Sequence, residues 1–319
     1  LAIANVRGGG LWVKGAGILE IGGRVQLVDL PELASLKSDE VLMEVHAAGV
    51  ANWDDLVRTG GWDVGITPPM ALGVEAAGTI RQVGAAGSRF KPGDEVLTHS
   101  APLRNQGAWA ESFVAPEGHV ARKPLTMEMG VAGAFCVPAL TAHQVLGAAL
   151  DVQAGESVLI NGGGGVTGSL LTAVAAAMGA NVIAIASARS EERLKHFGAT
   201  TVLDRASTWP QSARRLAGGS FPAVVNAVRG ATASVLPLVA DNGRLATITG
   251  DPPPSERGIR ISNVYVKPDG AALERLAADF ANRGLTLPIA AMFGLGQASA
   301  ALAEAVAGSP GVVVIDPRR

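Results

Sequence analysis

NGGGGVTG (residues 161–168) sets four consecutive glycines between two apolar runs. Glycine builds slack linkers, but it also builds loops whose backbone must come close to a charged ligand. The flanks separate the two cases. Before the glycines stands ESVLI (156–160), apolar and partly β-branched; after them comes SLLTAVAAAMGA (169–180), rich in alanine and leucine. The order is strand, glycines, helix, and within it Gly163, Gly165 and Gly168 fit G-x-G-x-x-G. In such a loop the first glycine permits a tight turn and the second lets the backbone approach a pyrophosphate. The third lets helix and strand pack closely. The helix start adds unpaired N–H groups and the positive end of its dipole. Gly163, Gly165, Val166, Thr167 and Gly168 are therefore the candidate cofactor-binding residues of this loop. Gly162 and Gly164 receive no requirement from the motif.

Outward from the loop the alternation continues. Strand NVIAIAS, helix SEERLKHFGA and strand TTVLD follow; after a polar stretch come strand FPAVVNAV, helix ATASVLPLVA and strand GRLATITG. Strands alternating with helices imply βαβ units and a doubly wound parallel sheet, an α/β domain. GRLATITG is expected at the sheet edge, where it would pair with a second copy across a two-fold axis. Upstream, LTMEMGVAGAFCVPALTAHQVLGAAL is expected to be helical, with Thr126 as N-cap, Glu128 in the first turn and a break at Pro138.

The first third differs in style. RVQLVDLP, EVLMEVHAAGV and AAGTIRQVG read as short strands, and Pro92-Gly93-Asp94 as a turn into another at Glu95–Thr98. ANWDDLVRTGGW holds one short helix ending at Gly60-Gly61. Such a composition suits a small antiparallel barrel. After DPPPSERG come IRISNVYV, the amphipathic helix DGAALERLAADFANRG, a last helix GQASAALAEAVAG and a closing strand GVVVI.

The residues past the glycine loop speak to the cofactor. About 20 residues beyond such a loop, an acid would bind the adenosine ribose hydroxyls of NADH. The chain reads IAIASARSEER there, with Ser187 in the acid's place and Arg189 two residues on. A missing acid removes repulsion, and an arginine holds a 2′-phosphate by charge-assisted hydrogen bonds. The expected cofactor is NADPH. Arg193 and Lys195 read as the solvated face of the following helix.

Bulk properties narrow the rest. A length of 319 residues suits two domains, and a formal net charge of −2 gives no reason to expect nucleic acid or an anionic membrane as partner. No apolar run is long enough to span a bilayer, and LAIANVRGGGLWVKG lacks the apolar core of a signal peptide. The single cysteine, Cys136, excludes an internal disulfide and a multi-thiolate zinc site. These features together suit a cytoplasmic location.

Several segments, taken together, resemble the medium-chain dehydrogenase/reductase superfamily, in its zinc-independent quinone oxidoreductase branch. They are AAGVANWDDLVRTGGW, ALGVEAAGTIRQVG, RFKPGDEV, GAWAESFV, PALTAHQVL and VYVKPDGAALERLA. The resemblance implies a GroES-like, β-rich substrate domain from both chain ends (1–124 and 261–319). It also implies a Rossmann domain that binds NADP(H) in the middle (125–260). Zinc-dependent members carry ligands at the positions of Ala51, Val74 and Val137, and four cysteines in a lobe that here has none. No metal is therefore expected. The family's lysine before the final strand is also absent, replaced at Gly311-Val312, and its frequent tyrosine near the substrate is Trp62.

By family placement Asn52, Trp62, Asp54 and His143 are the candidate catalytic residues, with His99 a secondary one near the cleft, and Thr141 in PALTAHQVL joins the cofactor-binding set. Asn52 would hydrogen-bond an acceptor carbonyl and Trp62 would stack on a flat substrate. Asp54 reads first as the cap of the short helix, and His143 equally as a satisfied core residue. The expected activity is NADPH-dependent hydride delivery to a quinone, enone or enoyl acceptor by a homodimer. The alternative is a non-catalytic NADPH-binding protein with a sensing or structural role.

Overall fold

The computed structural model describes residues 6–7, 10–31, 33, 35–86 and 88–319. The start of the segment read for a signal peptide lies partly outside them. The chain divides into two compact units, one reaching to Val137 and including Pro268–Arg319, the other Pro138–Lys267. Both divisions fall further along the chain than the sequence suggested. The first moves because the helix Met129–Gly133 packs on the strand Glu40–Val50: a Cβ on Gly133 would meet the Ala47 carbonyl oxygen at 2.5 Å. The second moves because the strand Arg260–Asn263 is hydrogen-bonded into the sheet of the middle unit.

The first unit is the β-rich one. Its larger sheet runs Ile289–Phe293, Val312–Ile315, Glu40–Val50, Glu75–Val83, Glu95–His99, Val120–Arg122, with Ser112–Pro116 also paired to Glu40–Val50. A smaller antiparallel sheet contains Gly10–Ile18, Gln26–Pro31 and Met70–Ala71. The closing strand Val312–Ile315 lies antiparallel to Glu40–Val50, so the two chain ends build one sheet. The turn at Pro92-Gly93-Asp94 is as expected, with Gly93 at φ +95°. The short helix is Asn52–Arg58, and Gly60 at φ +82° follows its end.

The middle unit is the doubly wound one. Its six strands are all parallel, in the order Thr201–Asp204, Asn181–Ala186, Ser157–Asn161, Phe221–Asn226, Val239–Thr247, Arg260–Asn263. Numbered along the chain within the unit, that order is 3-2-1-4-5-6. The glycines follow the first strand, beside the point where the order reverses and ligands of such sheets bind. Leu159, Ile183, Ile185, Val224 and Leu245 from these strands share one core with Phe221.

Four local expectations change. Thr126 is not the N-cap: the helix begins at Met129 with Glu128 before it. The helical stretch breaks at Ala134-Phe135 rather than at Pro138, which sits in the first turn of the helix Cys136–Gln144. A first-turn proline gives up an N–H that would lack an intrahelical partner anyway. GRLATITG is not an edge, because Val239–Thr247 pairs on one side with Phe221–Asn226 and on the other with Arg260–Asn263. The polar stretch before FPAVVNAV also holds a helix, Trp209–Leu216, whose Trp209 and Ala213 pack on the core.

At the glycine loop the closest approach is at Gly168, where a Cβ would lie 2.0 Å from the Gly162 carbonyl oxygen and 2.8 Å from the Gly163 Cα. At Gly165 the nearest atom would be 3.7 Å away. We expect Gly168→Ala to lower Tm severely or prevent folding, whereas Gly165→Ala leaves Tm within a few degrees. Thermal denaturation without nucleotide checks both, and an unperturbed Gly168→Ala would refute the packing.

Candidate functional site

In the middle unit, the site is made of backbone. The strand Ser157–Asn161 ends, Gly162 takes φ +91°, and the helix Val166–Ala177 starts four residues later with Gly165 as N-cap. The conformation that only glycine adopts freely is thus at Gly162, not at Gly163 as the motif assigned. Gly163 instead fits against the neighbouring strand, where a Cβ would meet the Ala184 Cβ at 3.0 Å. The loop N–H groups divide in two. Those of Gly162 and Gly163 donate to the Ile185 carbonyl, at 3.2 and 2.9 Å, and that of Gly165 closes a turn onto Gly162. Those of Val166, Thr167 and Gly168 occupy the first helical positions, where geometry leaves no carbonyl within the helix to accept them. With Gly165 exposed and open, three N–H groups and a dipole end face one place. An anion fits this cradle.

Ser187 and Arg189 directly follow the adjacent strand Asn181–Ala186. Arg189 is exposed; Ser187 is half-buried, its hydroxyl 3.5 Å from that of the buried Ser190. Ser190 in turn abuts the loop, since a Cβ on Gly164 would lie 3.0 Å from its Oγ. The structure therefore brings the loop and the Ser187–Arg189 turn together. Arg193 departs from the sequence reading: it is half-buried, and its Nη2 donates to the Gly164 carbonyl at 2.7 Å. Burial lowers its pKa. Lys195 does lie on the outer face, paired with Glu191 at 2.6 Å.

Thr141 and His143 lie on the helix Cys136–Gln144, Thr141 buried and His143 half-buried. Below the other strand ends runs a polar network that sequence reading did not single out. The Asn161 amide donates to Asn226 Oδ1 at 3.0 Å, Asn226 donates to Thr232 Oγ1 at 3.0 Å, and Thr232 to the Asp251 carbonyl at 3.2 Å. Its only advance signal was amide and hydroxyl residues closing apolar strands.

In the β-rich unit the candidates split by burial. Asn52 is exposed at the first turn of its helix, Trp62 half-buried, and Asp54 fully buried. Asp54 Oδ2 accepts the Ala51 N–H at 2.8 Å, the capping role that sequence reading left open for it. Trp62 lies beside His99, ring centroids 6.5 Å apart. His99 is buried, and its Nδ1 bonds the Val74 carbonyl at 2.9 Å. A carbonyl only accepts, so Nδ1 carries the proton and Nε2 is left as an acceptor. Glu75 is a further buried acid, Oε2 accepting the Val137 N–H at 2.8 Å. It needs Gly49 opposite, where a Cβ would sit 2.4 Å from its Oε1. Its signal in LGVEAAG was an acid inside an apolar strand.

These bonds fall on the three positions at which zinc-dependent relatives of the resembled family hold their ligands. Asp54 holds Ala51, His99 holds Val74 and Glu75 holds Val137, each through the backbone. The side chains at those positions carry no donor atom, so they do not fit a zinc ion. Cys136, next to Val137, is buried; its Sγ donates to the Ala132 carbonyl at 3.4 Å, and burial pushes its pKa well up. Among the described residues no three His, Cys, Asp or Glu stand together as metal ligands, and no helix is long and apolar enough to cross a membrane.

Burial shifts the acids as well. It raises the Asp54 pKa to about 8 against the pull of the Ala51 N–H. It raises the Glu75 pKa to about 8, the Val137 N–H opposing and Asp54 adding to the rise. Burial lowers the His99 pKa to about 4.

Comparison with known proteins agrees with this layout. Residues 37–125 match the alcohol dehydrogenase GroES-like domain and residues 166–268 the zinc-binding dehydrogenase family. The human quinone oxidoreductase is 31% identical over 186 residues, 56% of this chain and 54% of that protein. The chain thus spans about half the length of the mammalian relatives it matches. The chloroplastic quinone-oxidoreductase homolog of Spinacia oleracea is 30% identical over 228 residues, 68% of each chain. A mycobacterial structure complexed with NADPH superposes with a TM-score of 0.81 at 27% identity, over 96% of this chain and all of the other. A quinone oxidoreductase from Pseudomonas syringae, 23% identical with a TM-score of 0.81, shares the fold over 96% of this chain and all of that one.

The buried acids set a pH dependence of stability. A carboxyl whose folded pKa is raised to about 8 from an unfolded value near 4 binds more protons when folded. It therefore favours the fold at low pH and loses that effect as pH rises towards 8. His99, lowered to about 4 from 6.5, works oppositely between those values. We expect stability to fall with rising pH, most steeply between about 6.5 and 8, and Glu75→Gln to flatten the fall. Urea denaturation at pH 5, 6.5 and 8 checks this; a profile rising through pH 8 would contradict it.

Proposed function

The chain belongs to the medium-chain dehydrogenase/reductase superfamily, in its quinone oxidoreductase-like branch, and on that premise we propose that it is a zinc-independent NADPH-dependent oxidoreductase. Its acceptor is a quinone, enone or enoyl compound. The observation that carries the cofactor reading is the open cradle of Val166, Thr167 and Gly168 N–H groups beside Ser187 and Arg189. An acid at position 187 would repel a 2′-phosphate, whereas Ser187 gives it a hydroxyl and Arg189 an exposed guanidinium.

Bound NADPH supplies the hydride, and the chain supplies position and electrostatics. Zinc independence is supported by the apolar side chains at Ala51, Val74 and Val137. Without a Lewis acid at those positions, the acceptor must already be electrophilic, which favours a conjugated carbonyl over a simple ketone. Trp62 offers a half-exposed face on which a flat acceptor stacks, and Asn52 an exposed amide that donates to its carbonyl oxygen. Asp54, buried and committed to the Ala51 N–H, is a positioning residue in this reading. Thr141 and His143 are assigned to the cofactor side because they lie in the unit that carries the loop. A homodimer through the edge strand Arg260–Asn263 and a reducing, cytoplasmic setting complete the proposal. The lone, inert Cys136 supports the latter.

The test is NADPH consumption against a panel of quinones, enones and enoyl thioesters, with NADH in parallel. We expect turnover with at least one class and a lower KM for NADPH than for NADH. Arg189→Ala should raise the NADPH KM about tenfold and leave that for NADH unchanged, as loss of one charge-assisted contact would. Tight NADPH binding with no turnover on any acceptor would overturn the catalytic reading, and equal use of the two nucleotides would overturn the cofactor assignment.

A further inference from the structure

We propose that Arg193 is a positioning residue for the nucleotide: it holds the Gly164 carbonyl turned into the protein, so that the loop offers the pyrophosphate N–H groups only. The proposal rests on the reading of this loop as a nucleotide site, and it concerns a residue that no motif marks. A loop of this kind must manage its carbonyls as well as its N–H groups, because every carbonyl oxygen facing a phosphate repels it.

The carbonyls of the loop are accounted for one by one. That of Gly162 accepts the Gly165 N–H at 3.2 Å, and that of Gly163 accepts the Ser169 hydroxyl at 3.2 Å. Gly165 accepts the Ser169 N–H at 2.8 Å as the helix begins. Gly164 has no such local partner in the turn; its carbonyl is met by the Arg193 guanidinium at 2.7 Å. Arginine stays charged in any protein setting, so this is a charge-assisted bond and a strong one.

Arg193 also connects two parts of the site. It lies on the helix Glu191–His196, directly after the turn that carries Ser187 and Arg189. Ser190, from the same segment, contacts the loop at the place where Gly164 allows no Cβ without crowding its Oγ at 3.0 Å. The segment that would read the 2′-phosphate and the loop that would read the pyrophosphate are thus joined at Gly164. Because Arg193 acts on the loop, its loss should weaken NADPH and NADH equally, whereas loss of Arg189 should weaken NADPH alone.

That difference is the test. Dissociation constants for NADPH and NADH, measured by calorimetry on the full chain, are compared among wild type, Arg193→Leu, Arg193→Lys and Arg189→Ala, with Tm recorded without nucleotide. We expect Arg193→Leu to weaken both nucleotides by the same factor, about tenfold. Arg193→Lys, which restores a cationic donor, should recover most of the loss, and if the leucine variant does not fold, Arg193→Gln takes its place. A selective loss of NADPH would overturn the proposal by making Arg193 a 2′-phosphate contact. A lowered Tm with both affinities unchanged would reduce it to a structural residue. If the wild type binds neither nucleotide, the underlying reading of the loop falls first; if the wild type binds and Arg193→Leu binds equally well, only the role of Arg193 falls.

Discussion

The contact on which the middle unit depends is the one between the start of a helix and the loop that feeds it. Gly168 lies so close to the Gly162 carbonyl that a single methyl group would overlap it, at 2.0 Å. That closeness lets the helix begin immediately after the strand, so its first N–H groups stand at the end of the sheet rather than above a longer loop. The same turn needs Gly162 at φ +91°, and the hydroxyl of Ser169 folds back to the Gly163 carbonyl. Three glycines and a serine therefore fix one geometry, and the open face at Gly165 is what remains for a ligand.

The β-rich unit is organised around a different constraint, the need to hold backbone groups in an apolar interior. Ala51, Val74 and Val137 come from a helix entry, the bend just before a strand and the first turn of the helix Cys136–Gln144, and each is bonded by a buried ionisable side chain. A buried unpaired backbone group costs more than a made hydrogen bond contributes, so these contacts hold the three segments together. The consequence appears in the acids themselves. Deprived of water, Asp54 and Glu75 hold their protons up to about pH 8, and Gly49 leaves room for one of them at the cost of any side chain.

How much of this was legible depended on the range of the interaction. The glycine loop, the five strands of the alternation and the helix after Asp269 are local patterns, and each is where its residues place it. The helix break was read one turn late because Pro138 looks like an interruption until its first-turn position is known. GRLATITG looked like an edge because nothing local shows that Arg260–Asn263 returns to pair beside it. In the candidate site, Ser187 and Arg189 stand together with the loop as spacing suggested, since both follow adjacent parallel strands. Arg193 did not announce itself: three residues after Ser190, on a polar helix, it has the sequence character of a solvated side chain. Only in the folded chain does its guanidinium reach the Gly164 carbonyl, 29 residues back in sequence. Glu75 was likewise hidden, its cross-strand partner His99 being the one of the pair that sequence reading named.

The protonation of the two acids follows from what stands at Ala51, Val74 and Val137. A divalent cation beside Ala51, Val74 and Val137 would favour both acids as carboxylates, because a nearby positive charge lowers a carboxyl pKa. With apolar side chains there instead, burial is the dominant effect and both acids are largely neutral at pH 7. His99 is neutral too, its Nδ1 proton committed to Val74. His99 is fully buried beside the half-buried Trp62, and its imidazole and the two acids all lie in the interior as neutral groups. Neutral in this way, the three groups hold the backbone of Ala51, Val74 and Val137 without the counter-charge that an apolar interior does not supply.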